Sequence, residues 1–233
     1  MNVPLVEIKH KCFNCNLKLE MFNSLTPEEM DLVDNNRIQV KYKAGEIIFK
    51  QGTPLTHIAC LTSGMAKIYI EGLNERNLIL KFVKPVEFIG GPGMGVDNIH
   101  HYSVSALEDT SSCLINAVTI KELIEKNSTF ALQLLKGNNI QSMSNFEKFI
   151  SLTQKQMPGR IADALLYLSN EVYHSASFVT NISRQDLADL TAMTKESAIR
   201  ILKDFKDNKY INAEGSRFEI LNMESLRHLS RIG

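Results

Sequence analysis

Along this chain the spacing of apolar positions changes character twice, and each change predicts a different kind of element. Between Ile38 and Val118 apolar and polar residues alternate: Ile38, Val40 and Tyr42; Ala66, Ile68 and Ile70; Leu78, Leu80 and Phe82; Tyr102 and Val104. A period of two belongs to strands with one buried face. Gly45, Gly52, Gly64, Gly72 and the run Gly90, Gly91, Gly93, Gly95 cut the stretch at short intervals, as the tight turns of a compact antiparallel roll require. From Thr119 to Met157 no proline intervenes. There Leu132, Leu135, Asn139, Met143, Phe146 and Ile150 recur at spacings of three and four, the seam of a long helix that meets a second helix. Pro158-Gly159 reads as a linker.

Helix starts are marked by capping residues. Leu25-Thr26-Pro27-Glu28-Glu29-Met30 combines an N-cap threonine, a proline at the first helical position, a glutamate at the third and a Leu25/Met30 staple. Thr119 with Glu122, and Ser183 with Asp186, repeat the grammar. In "ISRQDLADLTAMTKESAIRILKDF", Ser183 caps a helix of about two turns with Leu187, Ala188 and Leu190 inward; Thr191 to Met193 breaks it. Thr194 then caps a second helix with Ala198, Ile201, Leu202 and Phe205 inward, and the pair forms a helix-turn-helix. Two short strands, Tyr210 to Ala213 and Arg217 to Leu221, flank Glu214-Gly215-Ser216 as a wing.

The predicted fold class is α+β: an antiparallel β-roll of jelly-roll type, a long dimerisation helix and a C-terminal winged helix-turn-helix. The expected organisation is an N-terminal Cys-x-x-Cys segment and helix over 1–37, a sensor roll over 38–118, the dimerisation helix over 119–157 and a DNA-binding domain over 158–233.

Composition narrows the function. With 26 lysines plus arginines against 26 aspartates plus glutamates, no global basic field draws the 233-residue chain to nucleic acid or anionic lipid, so binding must be local. The start lacks the apolar core of a signal peptide, and no window approaches the ~18 apolar residues of a membrane span, so the expected location is cytoplasmic, with no membrane partner. Nucleophile elbows, phosphate-binding loops with lysine and histidine-rich metal helices are absent, so the chain is not expected to be an enzyme. On the second helix of the motif Lys195, Glu196, Ser197 and Arg200 face outward near the N-terminus, where arginine can pair with guanine and glutamate with the cytosine amino group. Ser183, Arg184, Thr194, Lys203 and Arg217 complete the expected DNA-contacting set.

In the order roll, long helix, helix-turn-helix and wing, the chain resembles the CRP/FNR family of bacterial transcription regulators over nearly its whole length. "KAGEIIFKQGTPLTHIACLTSGMAKIYI" is similar to the start of that family's cyclic-nucleotide-binding-like roll, and "PGRIADALLYL" to its hinge. The resemblance implies a homodimer that binds a palindromic duplex site, with RNA polymerase as a further partner and Glu196 and Arg200 as main base readers. Ala192 stands where the family usually has glycine; alanine is expected to cost little there. The alternative is a dimeric ligand-binding or redox-sensing module that acts through protein contacts without specific DNA binding; salt-sensitive binding to a palindromic duplex separates the two.

The effector is unknown from sequence. Cyclic-nucleotide members carry Gly-Glu-Leu and then an Arg-Ser or Arg-Thr pair; here stand Phe88-Ile89-Gly90-Gly91-Pro92 and His101-Tyr102, so cyclic AMP is not expected to bind through those contacts. Gly90, Gly91, His101, Tyr102, Met143 and Asn145 are the expected effector-pocket positions, with the glycine run and His100-His101 read as exposed loop. The resemblance further implies an N-terminal Cys-x-x-Cys-x5-Cys joined by a roll cysteine in iron-sulfur members. Cys12, Cys15 and Cys113 match, but Met21 replaces one ligand cysteine, and Cys60 is expected inside the roll. Three outcomes stay open: a labile cluster with an outside ligand, a zinc completed by His10, or thiols without a cofactor as a relic or redox pair.

Overall fold

The computed structural model describes residues 11–233 together with the short strand Leu5–Val6; His10 lies outside the described residues. Contacts divide the chain into two compact units, one holding the residues up to Glu71 with Phe82–Ser142, the other Gly72–Lys81 with Met143–Gly233.

The first unit holds most of a β-roll. In chain order the elements of the roll are β1 (Leu5–Val6), 3-10 turns at Cys12–Asn14 and Glu20–Ser24, α1 (Pro27–Asn35), β2 (Arg37–Tyr42), β3 (Ile47–Phe49), β4 (His57–Ser63), β5 (Ala66–Glu71), β6 (Asn77–Val83), of which 77–81 group with the second unit, β7 (Phe88–Ile89), β8 (Ser103–Ala106), β9 (Thr110–Asn116), α2 (Ala117–Lys126) and the first half of α3 (Ser128–Gln154). Two antiparallel sheets form, ordered β1-β2-β9-β4-β7 and β3-β8-β5-β6. Thr26 and Glu29 make the reciprocal capping box of α1, and Met30 is buried. Beside the first sheet, Phe22, Met30, Val33, Ile58, Cys60, Ile115, Ile120, Leu123 and Phe130 share one core.

Several local expectations are corrected. The buried residues of β6 are Ile79, Phe82 and Val83 rather than Leu78 and Leu80, and Ile38 and Ile70 are exposed. Alternation alone does not say which phase faces the core when both phases carry apolar residues. Asn116, not Thr119, caps α2; Thr119 is buried inside that helix. The stretch 119–157 is not one helix. Asn127 is extended (φ −121°, ψ 97°), donates to Ser24 O and Glu29 Oε2, and accepts the Phe130 N–H at 2.9 Å, so it ends α2 and caps α3.

The second unit contains the rest of α3, α4 (Met157–Tyr167), a π-helical turn at Leu168–Val172, β10 (Ser177–Val179), α5 (Arg184–Leu190), α6 (Lys195–Asp207), β11 (Ile211–Glu214), β12 (Arg217–Ile220) and α7 (Met223–Ile232). Pro158 and Gly159 form no linker: they lie in the first turn of α4, where a proline lacks no needed donor. A Cβ on Gly159 would stand 2.7 Å from Gly233 Cα, so that glycine is needed for close packing. Strand β10 pairs with β12 and makes the wing a three-stranded sheet ordered β10-β12-β11. Three residues were too few to stand out as a strand in sequence.

Candidate nucleic-acid interface and sensor site

The helix-turn-helix is held by two caps. Ser183 Oγ accepts the Asp186 N–H at 3.1 Å while Asp186 accepts from Ser183, and Thr194 Oγ1 accepts the Ser197 N–H at 3.2 Å. Leu187, Ala188, Leu190, Ala198, Ile201, Leu202 and Phe205 are all buried, the inward set that periodicity had selected. The turn closes at Ala192 in the left-handed region, φ +50°. This corrects the expectation that alanine costs little: a Cβ in that conformation is strained by about 1 kcal/mol.

Lys195, Glu196, Ile199, Arg200 and Lys203 are exposed along one side of α6. Among the described residues Glu196 and Arg200 make no ion pair with each other, so both heads stay available. Ile199, 46% exposed, was missed in sequence; it breaks the inward pattern of 198, 201, 202 and 205, which is the signal that marks it. Arg217 opens β12, the central strand of the wing, and is exposed. Ser183, Thr194 and the half-buried Ser197 serve the helix caps. Arg184 is engaged inside the domain: its guanidinium lies 4.4 Å from the Phe218 ring centroid and donates to Gly215 O at 3.1 Å. Burial pushes its pKa down.

On α3 the seam residues are exposed: Leu132 64%, Leu135 54%, Met143 65%, Phe146 64% and Ile150 50%, joined by Ile140 and Phe149, with Asn139 exposed among them. Only Phe130 and Leu134 of this helix are buried.

The expected effector positions do not converge in one unit: Gly90, Gly91, His101 and Tyr102 belong to the first, Met143 and Asn145 to the second. The glycine loop folds on itself, with the Met94 N–H on Gly91 O and the Val96, Asp97 and Asn98 N–H groups on Gly93 O, which leaves those amides turned inward. His101 is exposed and pairs with Asp97 at 2.9 Å. Burial raises the Tyr102 phenol. His100 is not exposed loop: it is 4% exposed, stacks on Phe49 at 4.3 Å, and its Nδ1 has no hydrogen-bond partner among the described residues. Burial lowers its pKa. In the second unit a cleft of about 540 Å³ is lined by Lys148, Lys155, Arg160 and Asp163, whose charges already have partners: Lys155 on Asp163 at 2.8 Å, Arg160 Nε on Lys155 O at 2.9 Å, and Lys148 Nζ on Ile79 O and Leu80 O.

The four cysteines lie near one another. Cys60 and Cys113 face each other directly across β4 and β9, Cys15 acts electrostatically on both, and Cys113 acts on Cys12. Cys60 is buried, as expected. Met21 and Cys12 pack against the core that contains it. Burial, reinforced by the Asp34 carboxylate, pushes the Cys12 thiol up to about 12; burial, with Cys113 and Cys15 beside it, sends Cys60 to about 12. Among the described residues no group of three histidine, cysteine or acidic side chains is arranged to hold a metal ion.

The roll and the winged helix-turn-helix are the architecture of a DNA-binding transcription regulator, and comparison with known proteins agrees. The cyclic nucleotide-binding domain family matches residues 39–127 and the Crp-like helix-turn-helix domain family matches residues 159–229. The chain is 29% identical to the transcriptional activator protein Anr of Pseudomonas aeruginosa over 217 residues, 91% of this chain and 88% of that protein. It is 25% identical to the anaerobic regulatory protein of Aggregatibacter actinomycetemcomitans, covering 94% and 87%. In fold it is similar to FixK2 from Bradyrhizobium japonicum, with a TM-score of 0.75 at 19% identity over 83% of this chain and 96% of that one. A CRP/FNR-family structure from Eubacterium rectale gives 0.77 at 18% identity over 91% and 98%. This chain belongs to the CRP/FNR family of transcription regulators.

Proposed function

We propose that the protein acts in the cytoplasm as a homodimer on an inverted-repeat operator. The exposed apolar face of α3 carries the dimer reading: Leu132, Leu135, Met143, Phe146 and Ile150 are each at least half exposed in one chain, and a second copy of the same helix covers such a stripe. A two-fold pair of α6 helices then enters successive major grooves about one turn (~34 Å) apart. Glu196 and Arg200 read a G·C pair in each half-site, Ile199 contacts a thymine methyl group, and Lys195, Lys203 and Arg217 contact phosphates. Arg184 supports the wing. RNA polymerase is the further partner, and regulation rather than catalysis is the role.

The experiment is operator selection followed by Arg200→Ala. The variant should lose roughly 1 to 3 kcal/mol per half-site and relax preference at the base it reads. Unchanged affinity for the selected operator rejects the assignment.

The effector is a molecule other than cyclic AMP bound through the usual charged contacts. The positions of the nucleotide carboxylate and guanidinium hold Gly91 and His101 in this chain, and His101 is paired with Asp97. Calorimetry that gave a Kd near ~1 μM for cyclic AMP would overturn this.

A further inference from the structure

Beneath the N-terminal cysteine segment lies an ion pair that joins four separate pieces of chain. Asp34, at the end of α1, accepts the Cys12 N–H with both carboxylate oxygens, each at 2.9 Å. Arg37, the first residue of β2, grips the same carboxylate through Nε at 2.9 Å and Nη2 at 2.8 Å. Its remaining arm, Nη1, donates to Cys113 Sγ on β9 at 3.7 Å, within range for a sulfur acceptor. The two side chains are only 5% and 11% exposed. A buried pair of this kind is held by its geometry, and removing one partner leaves an uncompensated charge.

These residues do not fit the iron-sulfur cluster that the family resemblance suggests for Cys12, Cys15 and Cys113. The third N-terminal ligand position holds the Met21 thioether, a weak iron ligand. The Cys113 sulfur, which a cluster needs as a free thiolate, already accepts from a guanidinium. A guanidinium is a permanent cation and cannot share a coordination position with a metal.

We infer that the Cys12–Cys15 segment is fastened to the roll by the Asp34–Arg37 pair in a metal-independent latch, with the Arg37 guanidinium standing where a metal centre would otherwise tie this segment to Cys113. The latch accounts for the order of the segment with groups already present. Asp34 fixes the Cys12 backbone, Arg37 fixes Asp34, and Cys12 and Met21 pack on the core around Cys60. Cys113 is then a peripheral acceptor, and its thiol is not needed to hold the segment.

Amide hydrogen exchange over residues 12–15 of the full-length protein, purified without oxygen, separates this latch from a metal centre. In wild type the Cys12 amide should exchange at the same rate before and after treatment with EDTA, and before and after incubation with iron and sulfide, with no stoichiometric iron or zinc retained. Arg37→Gln should speed exchange by tenfold or more, whereas Cys113→Ser should leave it within about twofold of wild type. Stoichiometric metal in the wild type, or loosening of the segment by EDTA or by Cys113→Ser, overturns the inference. EDTA treatment and the conservative Cys113→Ser variant still separate latch from metal centre if Arg37→Gln does not fold.

Discussion

The Arg184 guanidinium lies over the Phe218 ring, 4.4 Å from its centroid, and reaches the wing turn at Gly215 O. One side chain therefore ties the start of α5 to the wing. Its charge is partly withdrawn from solvent, which sets it apart from Lys195, Lys203 and Arg217. Arg184→Ala should lower stability by about 1 kcal/mol through the lost cation–π contact. It should weaken operator binding uniformly across sequences while the slope of log K against log salt stays unchanged; Lys203→Ala should reduce that slope by about one. Denaturant melts and binding titrations at several salt concentrations check both.

Ala192 supplies a second test. At φ +50° its Cβ is strained, and glycine relieves the strain at some cost in unfolded-chain entropy. Ala192→Gly should raise the stability of the C-terminal unit by about 0.5–1 kcal/mol and leave the salt dependence of DNA binding intact. A destabilised variant contradicts the strain argument.

His100 makes the roll sensitive to mild acid. Burial holds its folded-state pKa below the ordinary value of 6.5, so the unfolded chain takes up the proton first. The stability associated with neutral His100 is present above about pH 6.5 and is lost as pH falls through the lower, folded-state pKa. His100→Phe keeps a ring on Phe49 and removes the unpaired Nδ1. The variant should be the more stable at pH 7, and its advantage should widen towards pH 5. Parallel denaturation curves at the two pH values measure this difference.

A charge placed on the exposed face of α3 tests the dimer. Phe146→Asp, at a position 64% exposed in one chain, should shift the protein to monomers in sedimentation and abolish cooperative operator binding, while the fold persists by circular dichroism. Dimers that survive the substitution place the interface elsewhere.

The helix-turn-helix was legible in sequence because its determinants are local. A capping residue, a short amphipathic run, a break and a second cap lie within 25 residues, Ser183 to Asp207, and each bond they make is to a neighbour in the chain. The roll was legible as a class because alternation and glycine spacing are also local signals. Sequence by itself thus determined the fold class, the family and the exposed face of α6. Tertiary structure alone decided what depends on distant partners. Asn127 breaks the long helix because Ser24 and Glu29 stand ready to receive it. Ile79, not Leu78 or Leu80, faces inward because sheet packing chose one of two apolar phases. Arg184 turns to the wing because Phe218 lies under it. No local pattern singles out Arg37; α1 brings Asp34 beside it and β9 brings Cys113, 76 residues away in sequence. The meaning of such a charge is fixed by its burial and its partner, and neither is written in the residues next to it.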